Sequence, residues 1–94
     1  MSQAGIDLGQ AFALDRQVAL RPEPFGALAY NFGTRRLSFL KTRTLLDVVR
    51  GLDEHATARD ACAAAGVGED ELPRYARALG ALEDSGMIHA REGS

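Results

Sequence analysis

The stretch Phe25-Gly-Ala-Leu-Ala-Tyr-Asn-Phe-Gly-Thr-Arg-Arg-Leu-Ser-Phe-Leu40 constrains this chain more than any other, because it carries its own strand pairing. Side chains on both sides of Gly33-Thr34 alternate in the manner of a β-hairpin. A two-residue loop at Gly33-Thr34 suits a type II′ turn, whose first residue needs positive φ. That turn sets Tyr30 opposite Leu37 and Leu28 opposite Phe39, and alternation puts these four on one face. The other face receives Asn31 opposite Arg36, Ala29 opposite Ser38 and Ala27 opposite Leu40. By bulk, the face with Leu28, Tyr30, Leu37 and Phe39 is expected to point into the core. A one-residue slip would turn that set into water, so the register is firm.

Around this hairpin the chain divides simply. Residues 1–11 include Gly5 and Gly9, show little periodicity and are expected to form a loose N-terminal arm. Residues 12–90 are expected to form a single domain and residues 91–94 a flexible tail. Phe12-Ala-Leu-Asp-Arg16 is apolar enough to lie against the body. Gln17-Val-Ala-Leu-Arg21 alternates as a first strand with Val18 and Leu20 inward. Pro22-Glu-Pro24 is expected to end it, since proline cannot donate to a ladder. A three-stranded meander results, with its first and third strands at the edges.

From Thr42 the period becomes helical. Leu45, Val48, Val49 and Leu52 fall on one face, with Thr42 or Thr44 as cap and Gly51 near the end. Thr57 with Asp60 opens a second helix whose inner stripe is Ala58, Ala61, Cys62 and Ala65, stopped by Gly66. A third begins near Asp70, accepts Pro73 in its first turn and runs to Ser85-Gly86. Its stripe is Leu72, Tyr75, Ala76, Leu79 and Leu82, and Met87-Ile88 can close the core. The expected fold is therefore α+β and winged-helix-like: a three-stranded antiparallel sheet followed by three helices.

Most chemistry finds no support in the residues. One cysteine excludes an internal disulfide framework, and Cys62 in an alanine stripe reads as a small core residue. His55 and His89 stand 34 positions apart with no nucleophile at an informative spacing, and no metal-ligand spacing occurs. The chain is not expected to be an enzyme or to hold a cofactor. No apolar run approaches the roughly 20 residues of a membrane span, so a cytoplasmic protein without a membrane partner is expected. A net charge of −2 gives no general attraction to nucleic acid. The architecture still invites an alternative, a winged-helix DNA-binding regulator. Against it, the third helix opens Glu69-Asp70-Glu71, like charge facing phosphate.

One cluster stands out. Arg35, Arg36, Lys41 and Arg43 put four of the eleven basic residues in a nine-residue window flanking Leu37-Ser-Phe-Leu40. Basic residues often guard a sheet edge against aggregation. They equally suit an edge left open for an acidic, extended peptide that adds a strand. The residues alone leave both readings open.

Arg21 to Leu40, with Thr44-Leu-Leu-Asp-Val-Val49 and Ser85-Gly-Met-Ile88, closely resembles the peptide chaperone family of mycofactocin biosynthesis. The resemblance covers roughly residues 12–88. That family is similar to the peptide chaperone of pyrroloquinoline quinone biosynthesis, and both are RiPP recognition elements. The resemblance implies a winged-helix chaperone that binds the leader of a ribosomally made precursor peptide and presents it to a radical S-adenosylmethionine maturase. Cofactors would belong to that partner. The leader would add a strand along Arg35, Arg36, Leu37, Ser38, Phe39 and Leu40, with Tyr75, Ala78, Leu79 and Leu82 across a groove. Oligomeric state is left open, since an exposed edge can pair or swap.

Overall fold

A computed structural model describes residues 5–91. The chain runs β1 (Phe12–Leu14), β2 (Val18–Glu23), β3 (Gly26–Asn31), β4 (Arg36–Leu40), α1 (Arg43–Gly51), α2 (Ala58–Ala64), α3 (Leu72–Asp84) and β5 (Ile88–Ala90). Two antiparallel sheets form: a meander in the order β2-β3-β4, and a small pair, β1 with β5. The α+β class and the three helices agree with expectation. The second sheet was not foreseen, and it joins the two ends of the fold through Phe12↔Ala90 and Leu14↔Ile88.

The hairpin register is the one read from sequence, from Asn31↔Arg36 to Ala27↔Leu40. Its faces are reversed. Ala27, Ala29, Asn31 and Leu40 are buried, whereas Leu37 is 53% and Phe39 57% exposed. Small residues let α1 approach the sheet closely, and α1 brings the bulk instead. Its Leu45, Leu46, Val48 and Val49 are buried, as is Leu52 beyond it. Each such side chain contributes about 1.5–3 kcal/mol by leaving water. Gly26 lets the backbone at the end of β4 come close: a Cβ there would run into the Leu40 carbonyl oxygen.

The connection differs too. Four residues, Phe32 to Arg35, separate the Asn31↔Arg36 pair, and the left-handed residue is Arg35 (φ 65°) rather than Gly33. The Asn31 side chain explains the change. Its Oδ1 accepts from the Gly33 N–H (2.8 Å) and the Thr34 N–H (3.0 Å), building the loop around itself. Its Nδ2 donates to the Gly86 carbonyl (2.9 Å), fixing the hairpin to the end of α3. A four-residue loop has the same parity as a two-residue one, so the register survives.

Pro22 and Glu23 do not end the first strand of the meander; they pair with Ala27 and Gly26. The ladder shows why. The Phe32 N–H donates to the Gln17 carbonyl (2.9 Å), which makes that pair a hydrogen-bonded one. Pairs alternate along an antiparallel ladder, so Ala19↔Tyr30 and Arg21↔Leu28 are bonded and Pro22↔Ala27 is not. Pro22 therefore turns its missing donor to the open side, where none is needed.

The caps settle the helix starts. Thr42, not Thr44, caps α1, its hydroxyl accepting from the Leu45 N–H (3.0 Å). Thr57 caps α2 through the Asp60 N–H (3.1 Å), and Gly66 (φ 89°) follows its end. Helix α3 begins at Leu72 after a single 3₁₀ turn, Glu69–Glu71, with Pro73 in its first turn. Of the expected arm, Met1–Ala4 lie outside the described residues. The portion from Ile6 to Gln10 is held: the Ile6 N–H donates to the Ala76 carbonyl, and the carbonyls of Leu8 and Gln10 accept from Arg59 and Ala58. Of the expected tail, Arg91 is anchored, its guanidinium donating to the carbonyls of Phe12, Leu52 and His55. Residues 92–94 lie outside the description.

Candidate functional site

Among the described residues, strand β4 has one strand neighbour, β3, and its far edge is open. The alternation that frees Pro22 also fixes which groups face that edge. Residues 28, 30 and 32 bond towards β2, so Ala27, Ala29 and Asn31 bond towards β4, pairing with Leu40, Ser38 and Arg36. The N–H and C=O groups of Leu37 and Phe39 consequently point outward.

Beside this edge lies a groove of about 490 Å³ between β4 and α3. Ser38 and Phe39 border it from the strand, with Lys41, Thr42 and Leu45 at the start of α1. Arg74, Tyr75, Ala78, Ala81 and Leu82 close it from α3. Its lining is mainly apolar, with the cations Lys41 and Arg74 on it. Arg74 also reaches Glu71 (3.5 Å), an exposed contact worth little in water. The Ser38 and Ser85 hydroxyls meet at 3.1 Å, tying the strand to the end of α3.

Of the residues expected at the site, the structure brings Ser38, Phe39, Tyr75, Ala78 and Leu82 together around this groove. Two others belong to the core. Leu40 and Leu79 are fully buried and leave no surface for a ligand; each occupies the inward position of its own element. Leu37 lies on the opposite, exposed sheet face, while Arg35 and Arg36 are exposed at the hairpin end. Among the described residues, none of Arg35, Arg36, Lys41 and Arg43 has a carboxylate within ion-pair distance. Lys41, Thr42, Leu45, Arg74 and Ala81 line the groove without having been assigned to it. Positions 74, 78 and 81 share a helix face by their spacing, one strip over from the core stripe, and that was the available signal.

Cys62 is buried, and burial pushes its thiol up, with nearby Arg59 opposing more weakly, so it is a core side chain rather than a nucleophile. Among the described residues there is no cluster of metal-ligating side chains, and no helix is long and apolar enough to cross a membrane.

A model of the peptide chaperone MftB family matches residues 11–89. This chain belongs to that family. Three relatives agree. Peptide chaperone MftB of Mycolicibacterium smegmatis is 52% identical over 86 residues, covering 92% of this chain and 84% of its own. That of Mycobacterium ulcerans is 54% identical over 87 residues, covering 93% and 80%. The Mycobacterium tuberculosis protein is 49% identical over 87 residues, covering 93% and 80%. No solved structure matches. Membership supports a peptide chaperone role in mycofactocin biosynthesis, which is not a catalytic one. For an MftB-family chain, an open strand edge beside an apolar groove is the feature a peptide could use.

Proposed function

We propose that this protein holds the leader segment of a ribosomally made precursor peptide as a fourth strand on β4, and presents the peptide to a radical S-adenosylmethionine maturase. The observation that carries this reading is the outward backbone of Leu37 and Phe39 beside a groove lined by Tyr75, Ala78 and Leu82. Main-chain pairing supplies affinity in such additions, and side-chain pockets supply selectivity. The domain acts as a winged-helix-like RiPP recognition element working in the cytoplasm. It needs no cofactor of its own, and nucleic acid is not its ligand.

The basic hairpin end steers an acidic leader. Arg35→Glu with Arg36→Glu should slow association and flatten its salt dependence, because flanking charges act mainly on encounter. The test is a titration of the parent and the double variant with synthetic mycofactocin leader peptide at several salt concentrations, beside a duplex DNA control. Unchanged rate and salt slope would remove the steering role. Sequence-dependent duplex binding with no peptide binding would replace the reading with a DNA-binding one.

A further inference from the structure

The groove accounts for one side of the sheet, yet the other side also ends at the β4 edge with large apolar groups. Leu37 and Phe39 are each more than half exposed there. Phe39 both borders the groove and packs its ring against Phe25, the centroids 6.0 Å apart. Leu28 and Tyr30 flank them on β3, opposite Phe39 and Leu37.

A strand added to β4 continues both faces, because successive side chains point to opposite sides. Peptide residues opposite Leu37 and Phe39 lie on the outer face beside those two side chains. The residue between them, opposite Ser38, points into the groove. Ser38, Ala78 and Ala81 are small and leave room for a bulky group there, whereas the outer face offers bulk to pack against. An amphipathic strand, apolar on alternate residues, would satisfy one side only.

We infer that Leu37 and Phe39 form a second, outward half of the peptide site, and that the segment bound has three consecutive apolar residues with the largest in the middle. This rests on strand addition at β4, and it names what such a strand must carry. The occupant follows from continuity: one extended peptide on this edge meets both surfaces at once.

The experiment is an alanine scan of the synthetic mycofactocin leader peptide, titrated against the parent and against Leu37→Thr, Phe39→Thr and Phe32→Ser. Threonine keeps strand preference, and thermal melts confirm that each variant folds. Phe32 is 65% exposed but sits in the hairpin loop against Tyr30 (centroids 4.9 Å), with its N–H donating to the Gln17 carbonyl on the side of β3 away from the β4 edge. With the parent, three adjacent alanine positions should each weaken binding roughly fivefold or more. The outer two should lose most of that effect in the Leu37→Thr and Phe39→Thr proteins, while the middle one keeps it. Phe32→Ser should bind within about twofold of the parent.

Sensitivity at alternate positions only, or parent-like binding by both threonine variants, would overturn the inference and leave strand addition standing. An equal loss in Phe32→Ser would also overturn it, assigning the face to a broader partner. A parent that does not bind the leader at all would remove strand addition itself.

Discussion

Phe39→Pro is expected to abolish leader binding in a protein that still folds, and Ser38→Pro is expected not to fold. The two positions are adjacent, each loses its backbone N–H to proline, and they differ in where that N–H points. At Ser38 it points to Ala29 inside the hairpin, so proline deletes a ladder bond and pushes its ring against β3. Ser38 is also held to Ser85, whose hydroxyl reaches back to the Ala81 carbonyl, so a distortion there spreads into α3. At Phe39 the N–H faces the open edge, as at Pro22 on the opposite edge, where proline is already accommodated. The loss falls on the peptide instead. It forfeits one main-chain bond and meets a ring where its backbone should sit. Phe39→Val keeps the donor and measures what belongs to the aromatic ring. Binding by Phe39→Pro should be weaker than by Phe39→Val by at least about tenfold, a difference of about 1.4 kcal/mol. Equal affinities in the two variants would mean that main-chain pairing at this edge contributes nothing.

The second large effect concerns Asn31, the one buried polar side chain among the described residues. It accepts two loop N–H groups and donates to the Gly86 carbonyl, so Asn31→Ala removes three hydrogen bonds and opens space behind Gly86. The expected cost is about 3 kcal/mol, at roughly 1 kcal/mol for each bond. In a domain of this size that corresponds to a fall in Tm of roughly 12–24 °C. Asn31→Asp keeps the acceptors for Gly33 and Thr34 but sets a carboxylate against the Gly86 carbonyl. It should therefore also destabilise, and more so once ionised. A melting point for Asn31→Ala within a few degrees of the parent would show that the loop and the end of α3 are held by something else.

What could be read from the residues followed the range of the interactions involved. Strand pairing between β3 and β4, the cap at Thr57 and the stripe of α1 are set by neighbours in sequence, and they were legible; the cap of α1 was narrowed to Thr42 or Thr44. Which hairpin face is inside was not, because side-chain size pointed the wrong way. Ala27 and Ala29 are buried since α1 lies almost on the backbone, while Leu37 and Phe39 are left outside. The pairing of β1 with β5 joins three-residue strands at opposite ends of the chain, too short to announce themselves. Half of the groove was visible as well. The family resemblance named Tyr75, Ala78 and Leu82, but a stripe cannot separate Leu79, which is core, from Tyr75, which borders the groove. The loop was misjudged for a chemical reason: Asn31 supplies the acceptor that a glycine-led turn would have made unnecessary.

The most direct test of strand addition is residue-resolved amide hydrogen exchange with and without synthetic leader peptide. In the free protein Arg36, Ser38 and Leu40 are bonded to β3 and should exchange slowly, while Leu37 and Phe39 face water and should exchange fast. Adding the peptide should slow Leu37 and Phe39 sharply and change their three neighbours little, an alternation that only a new strand on this edge produces. Protection confined to β2 or α2, or spread evenly along β4 without alternation, would contradict strand addition at β4.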